Sequence, residues 1–145
     1  MRFMIIVKSN RDIEAGKMPT EAQLANMTAY NEEMLKAGVF LTGEGLHPTA
    51  KGARIRFREG EPIITDGPFA EAKEIIAGFT MIEVASKEEA LEWIKKWPHT
   101  PEDGEFDLEL RQVFAPEDFG EEYTPELRER EERMRAEAER NAAGG

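Results

Sequence analysis

The sequence predicts an α+β domain built on a split β-α-β pattern, followed by a charged tail. Three observations predict it. Short runs rich in β-branched and aromatic residues alternate with two segments of helical periodicity. Each of those segments opens on a capping signal, Thr20 with Gln23 and Ser86 with Glu89. After Phe114 the composition shifts to almost continuous charge.

The elements follow in order. Arg2–Lys8 (RFMIIVK) carries apolar side chains on both faces, the mark of a buried strand. Thr20 then starts a helix that buries a stripe of Leu24, Met27, Tyr30, Met34 and Leu35, and Gly38 ends it as a left-handed cap. Val39–His47 (VFLTGEGLH) reads as a strand whose glycines, Gly43 and Gly45, suggest a bulge or a close backbone approach. Next, Ile55 and Phe57 alternate with Arg54, Arg56 and Arg58, the period of a half-solvated strand. Glu59-Gly60-Glu61 turns the chain, and Pro62–Thr65 returns as the second arm of a hairpin. Ile75–Ala85 is the longest apolar stretch and reads as a central strand. The second helix buries Ala90, Leu91, Ile94 and Trp97 and stops at Pro98; Phe106–Phe114 is the last strand.

The order is β-α-β-(β-β)-β-α-β, a ferredoxin-like split β-α-β sandwich with an inserted β-hairpin. Both helices fall on one sheet face. The other face has no predicted cover, so a homodimer with two facing sheets, a dimeric α/β-barrel-like assembly, is expected. Residues 1–115 form the domain and 116–145 a charged, partly helical extension, with Thr124 as cap, Pro125 at the first helical position, and Glu126–Arg130, Glu129–Arg133 and Glu131–Arg135 as i,i+4 pairs.

Composition narrows the function classes. Of the 145 residues 34% are charged, and the formal net charge is −11. That field repels phosphate backbones and anionic lipid, so nucleic acid and membrane are poor partners. The opening stretch turns polar too soon for a secretory signal, and there is no cysteine; a cytoplasmic protein without disulfides or thiolate chemistry is expected. P-loop, G-x-G-x-x-G and G-x-S-x-G patterns are absent, and His47 and His99 lack metal-ligand spacing, so neither cofactor nor metal is expected.

The chemistry-bearing stretch is Ile64–Glu74 (ITDGPFAEAKE). Asp66, Gly67 and Pro68 suit a turn by themselves, because aspartate bonds downstream amides and proline fixes its φ. Phe69 reads as a core plug. Glu71, Lys73 and Glu74 follow directly, and a carboxylate beside a lysine can tune a general acid or base. Glu44 and His47, after two glycines, form a polar corner with Asp66 if the hairpin folds back. The candidate assignment is Asp66 and His47 as catalytic groups and Glu44, Lys73 and Glu74 as ligand-binding groups.

RFMIIVK, LKAGVFLTGEGLHP, KGARIRF, TDGPFAEAKEIIAGF, KEEALEW and ELRQVF together resemble the YCII-related (YciI-like) family, within it the DGPF subgroup; EDFGEEYTPELRE resembles a tail found in one branch. The resemblance implies a ferredoxin-like fold dimerising face to face, and relatives that include a dehydrochlorinase of aromatic degradation. It also implies a His–Asp pair whose histidine sits on the first helix. That place falls here at or near Met27, which cannot transfer a proton. A link of the subgroup to extracytoplasmic-function sigma factors implies the alternative of a non-catalytic regulatory or interaction protein.

Overall fold

The computed structural model describes residues 1–144, apart from the side chain of Lys73. The chain divides into two compact units, Met1–Val113 and Phe114–Gly145.

The first unit is an antiparallel four-stranded sheet with two main helices. β1 (Arg2–Lys8) lies at its centre, paired with β5 (Ile76–Glu83) on one side and β6 (Leu108–Gln112) on the other; β2 (Phe40–Gly45) pairs with β5 at the far edge. β1 and β2 therefore run parallel with β5 inserted between them, the split β-α-β arrangement. Strand side chains alternate between faces. Phe3, Ile5, Ile82, Leu108 and Leu110 point to one face, where they pack with Tyr30 and Met34 of α2 (Glu21–Lys36) and Ala90, Trp93 and Ile94 of α3 (Lys87–Lys95). The opposite face carries Met4, Ile6, Phe79 and Met81, with Thr42 and Glu44 from the edge strand in register beside them.

The α2 start forms as its sequence predicts. Thr20 Oγ1 accepts from Gln23 N at 3.1 Å, and Gln23 Oε1 accepts from Thr20 N at 2.8 Å. Gly38 follows the helix end at φ 76°, where glycine has no Cβ to clash. The buried stripe is narrower than expected. Tyr30 and Met34 are buried and Met27 packs at the margin, but Leu24 and Leu35 lie in solvent. Leu91 of α3 is likewise exposed. At the α3 start, Ser86 Oγ accepts from Glu89 N, but Glu89 reaches back to Ala85 N rather than to the cap itself. The two helices meet where Tyr30 O–H donates to Trp93 O at 2.6 Å, and burial pushes the Tyr30 pKa up to about 12.

The hairpin is β3 (Ala53–Arg58) and β4 (Glu61–Asp66), which pair with each other as a separate two-stranded sheet. Its two-residue turn has positive φ at both Glu59 and Gly60, which matches the right-handed twist of a hairpin. Every residue of both strands is exposed.

A four-residue helical turn, α1 (Arg11–Glu14), fills part of the connection between β1 and α2. Asn10 caps it by accepting from Ile13 N at 2.9 Å. A 3-10 turn at Pro101–Asp103 ties to α2: Gln23 Nε2 donates to Asp103 Oδ1, and Thr100 N donates to Asp103 Oδ2 at 2.5 Å.

In the second unit, Phe114, Phe119 and Tyr123 stack successively at 5.1 Å between centroids. Tyr123 O–H donates to Glu131 at 2.5 Å, which raises the tyrosine pKa. α4 spans Pro125–Gly144, with Leu127 N donating to Thr124 Oγ1. Glu129–Arg133 and Glu131–Arg135 pair along it, joined by Arg128–Glu132, while Glu126 and Arg130 form no pair among the described residues. No helix among the described residues is long and apolar enough to cross a membrane.

Two predictions follow from this packing. The bond from Thr100 N, foremost, holds the Asp103 carboxyl below the usual carboxylate range. A lowered folded pKa gives stability that is present above the unfolded value and lost as pH falls through the folded one. Asp103→Ala should therefore melt lower than the native chain at pH 7, and the gap should close as pH is taken below about 3.9, the unperturbed aspartate value. At Gly67 a Cβ would overlap the carbonyl of Thr49, whereas at Gly52 it would meet only ordinary contact at 3.7 Å. Gly67→Ala should cost about 2 kcal/mol or more and lower Tm in a thermal melt, with Gly52→Ala near neutral.

Candidate functional site

The candidate residues sit at one end of the sheet, where β1 and β2 finish and β5 and β6 begin. Ser9 N donates to Ile75 O at 2.8 Å and Leu46 N to Ala77 O at 2.8 Å, so the loops leaving β1, β2 and β4 are drawn together at this end.

One small network organises it. Glu14, at the end of α1, accepts from Thr49 N through Oε1 at 3.0 Å and from Thr49 Oγ1 through Oε2 at 2.5 Å. The same Thr49 hydroxyl oxygen accepts from Phe69 N at 3.0 Å. Gly67 N donates to Gly52 O at 3.0 Å, and the Gly67–Pro68 peptide is cis. Three segments distant in sequence thus meet: α1, the turn Thr49–Lys51, and the turn of Asp66–Phe69. A hydroxyl that donates to a carboxylate while accepting an amide proton uses both its capacities. Neither Glu14 nor Thr49 was a candidate from sequence. Their contact spans 35 positions, and the only local trace is the Asn10 cap that sets the helical turn carrying Glu14.

This network explains much of Ile64–Glu74 without a ligand. Phe69 is not a core plug. It lies half-buried under the Arg54 guanidinium, 4.0 Å from the ring centroid, and Arg54 pairs with Glu71 at 3.3 Å. Glu71 is therefore occupied with folding the hairpin base. Both partners of that pair are more than half exposed, so it adds little stability by itself.

The remaining candidates are differently placed. Asp66 closes β4 and is exposed; strand alternation sets it on the hairpin face that carries Ile64, Pro62, Ile55 and Phe57. Glu44 stands on the helix-free face of the sheet, in register with Phe79 and Ile6, and is exposed. Its strand approaches β5 closely, because a Cβ at Gly78 would come to 2.8 Å of Glu44 O. His47 lies two residues before Thr49 and is exposed. Glu74, exposed, belongs to the 3-10 turn Ala72–Glu74. The Lys73 side chain lies outside the described residues. Asp66, Glu44, His47 and Glu74 form no side-chain hydrogen bond or ion pair with one another among the described residues, so the chain gathers their loops at one end without joining the groups. Met27 packs against the core cluster, a place for an apolar side chain and not for proton transfer. No group of three or more carboxylate or imidazole side chains able to hold a metal ion occurs among the described residues.

The chemistry these groups offer is acid–base and hydrogen-bonding: three carboxylates and an imidazole, all exposed and, among the described residues, not paired with one another.

Comparisons with known proteins agree on one point. The model of the YCII-related domain matches residues 1–113. An uncharacterised protein of Rhizobium meliloti (strain 1021) is 32% identical over 101 residues, covering 69% of this chain and 82% of its own length. Among solved structures, a 5-chloro-2-hydroxyhydroquinone dehydrochlorinase from Burkholderia phenoliruptrix AC1100, in complex with 2,5-dihydroxybenzoquinone, is similar at 17% identity and a TM-score of 0.38 over 79% of this chain and 94% of that one. A likeness that distant transfers no chemistry. The match over residues 1–113 and the 32% identical relative place the chain in the YCII-related family.

Proposed function

We propose that the protein is a homodimeric small-molecule-binding, enzyme-like protein whose site lies at the Asp66–Phe69 turn. Asp66 acts as acid/base or ligand-orienting group with His47, and Glu44, Glu74 and Lys73 bind the ligand. The observation that carries this reading is the Glu14–Thr49–Phe69 network. It fixes the loops bearing His47 and Asp66 to the body of the domain. It does so without consuming either side chain, nor Glu44. Charged and imidazole groups held by a rigid support, and without a side-chain partner among the described residues, are what a polar ligand needs, because the ordering cost is met in folding rather than in binding.

The homodimer is supported by the sheet. Its second face presents Met4, Ile6, Phe79 and Met81 away from the helices, and a sheet normally buries an apolar face against a second layer. A cytoplasmic, globular protein is the matching setting.

A second reading rests on the C-terminal unit. Residues 114–127 hold Phe114, Phe119, Tyr123 and five carboxylates with no basic residue, and Phe114 and Phe119 remain exposed. That composition suits contact with a basic partner, such as a sigma factor, in a regulatory role.

A thermal-shift screen against a metabolite library tests the first reading. A ligand at a hundredfold excess over its Kd adds about 2.7 kcal/mol to folded stability, readily seen as a rise in Tm. The rise should occur with the native chain and vanish in Asp66→Asn, whose own melting point should be unchanged because Asp66 is exposed and unpaired among the described residues. An equal rise in the variant overturns the assignment of Asp66.

A further inference from the structure

We propose that β6 is an edge at which this chain joins a second copy of itself, antiparallel and in one register with Leu110 opposite Leu110, so that two four-stranded sheets continue as one. The inference goes beyond the preceding reading. It uses the rim of the sheet and leaves the helix-free face as it is.

The rim is open. β6 ends the strand order and pairs with β1 alone among the described residues. Lys8 N donates to Asp107 O at 3.0 Å, and Val113 N donates to Arg2 O at 2.9 Å. Bonded positions alternate along an antiparallel strand. Glu109 and Arg111 therefore turn their backbone groups toward β1, and Leu108, Leu110 and Gln112 turn theirs outward. No backbone bond from outside the sheet reaches those three among the described residues. A row of outward N–H and C=O groups is a template for another strand.

The other edges are poorer templates. β2 carries a register shift between Phe40 and Thr42. β4 contains Pro62, which has no N–H to give. β3 paired with itself about Ile55 would set Arg54 against Arg56 of the second copy, like charges directly opposed. β6 has neither a shift against β1 nor a proline.

The occupant is a second copy because β6 is its own complement. Pairing about Leu110 sets Leu108 opposite Gln112 of the second copy, so outward positions meet outward positions and can exchange both bonds. The same register sets Glu109 opposite Arg111 on each side of the axis. Within one chain these two already pair at 3.3 Å, and Lys8 Nζ lies 3.8 Å from Glu109. Across the axis the four side chains alternate in sign around a ring. A slide of two residues either way would oppose Glu109 to Glu109 or Arg111 to Arg111, so charge selects the register. The Arg111 side chain is 69% and the Glu109 side chain 41% exposed, so these pairs add specificity more than strength. A strand of five residues also buries little area. The contact is therefore of the weak class, gathering copies in concentrated solution and leaving the dilute species unchanged.

The chain has no cysteine, so introduced ones report alone. Opposed positions that exchange no backbone bond lie about 4.5 Å apart at Cα, within disulfide reach. Full-length Glu109→Cys and Arg111→Cys chains, with tags of different size, are mixed at high concentration and oxidised. The proposal expects a disulfide-linked product bearing both tags, in clear excess over the product of either chain alone. Gln112→Pro in both chains removes a rim N–H that their own sheet does not use, so it should abolish the product with Tm little changed. No mixed product, or one that survives Gln112→Pro in folded chains and so forms elsewhere than the rim, overturns the edge contact. Should Gln112→Pro not fold, light scattering of concentrated protein decides. Arg111→Glu and Glu109→Arg chains should each scatter as a smaller mass than the native chain and regain the native mass when mixed. A mixture that stays at the smaller mass overturns the proposal.

Discussion

A sheet with both helices on one face has a second face to account for, and the rest of this molecule turns on that constraint. Phe3, Ile5, Ile82, Leu108 and Leu110 are satisfied by α2 and α3. Met4, Ile6, Phe79 and Met81 look the other way. The hairpin, exposed along both strands, is held to the domain at its base alone among the described residues. Burial of apolar area is worth roughly 25 cal/mol per Å², which is the physical ground for proposing a second layer over the helix-free face.

Against that background the polar network at the end of the sheet has a definite role. Glu14, Thr49 and the Phe69 amide do not add acid–base groups to the site; they fix where the hairpin leaves the domain. The close passage of Gly67 over Thr49 acts in the same way. The Arg54–Phe69 stack with Glu71 extends this support to the base of β3.

Much of the fold was legible in the sequence because its signals are local. The Thr20–Gln23 box, Gly38, the Arg/Ile/Phe alternation of β3 and the two-residue turn at Glu59-Gly60 each act within a few residues. What was not legible depends on distant partners. Leu24 and Leu35 match helical spacing but face water, because only the part of α2 near Tyr30 and Met34 meets the sheet. Asn10 capping a single turn gives too short a pattern to stand out, so Glu14 went unread. The candidate groups Asp66, His47 and Glu44 were legible as residue types in flexible surroundings; their separation onto different surfaces was not, since it follows from strand register. Glu71 looked like a ligand group and proves to be committed to Arg54.

The most direct test of this account is the native mass of the full-length chain, measured by sedimentation velocity over a dilution series at moderate salt. The account predicts a species of twice the 16.4 kDa chain mass that dissociates only on strong dilution. A mass of one chain at every concentration would contradict it and remove the homodimer from the account.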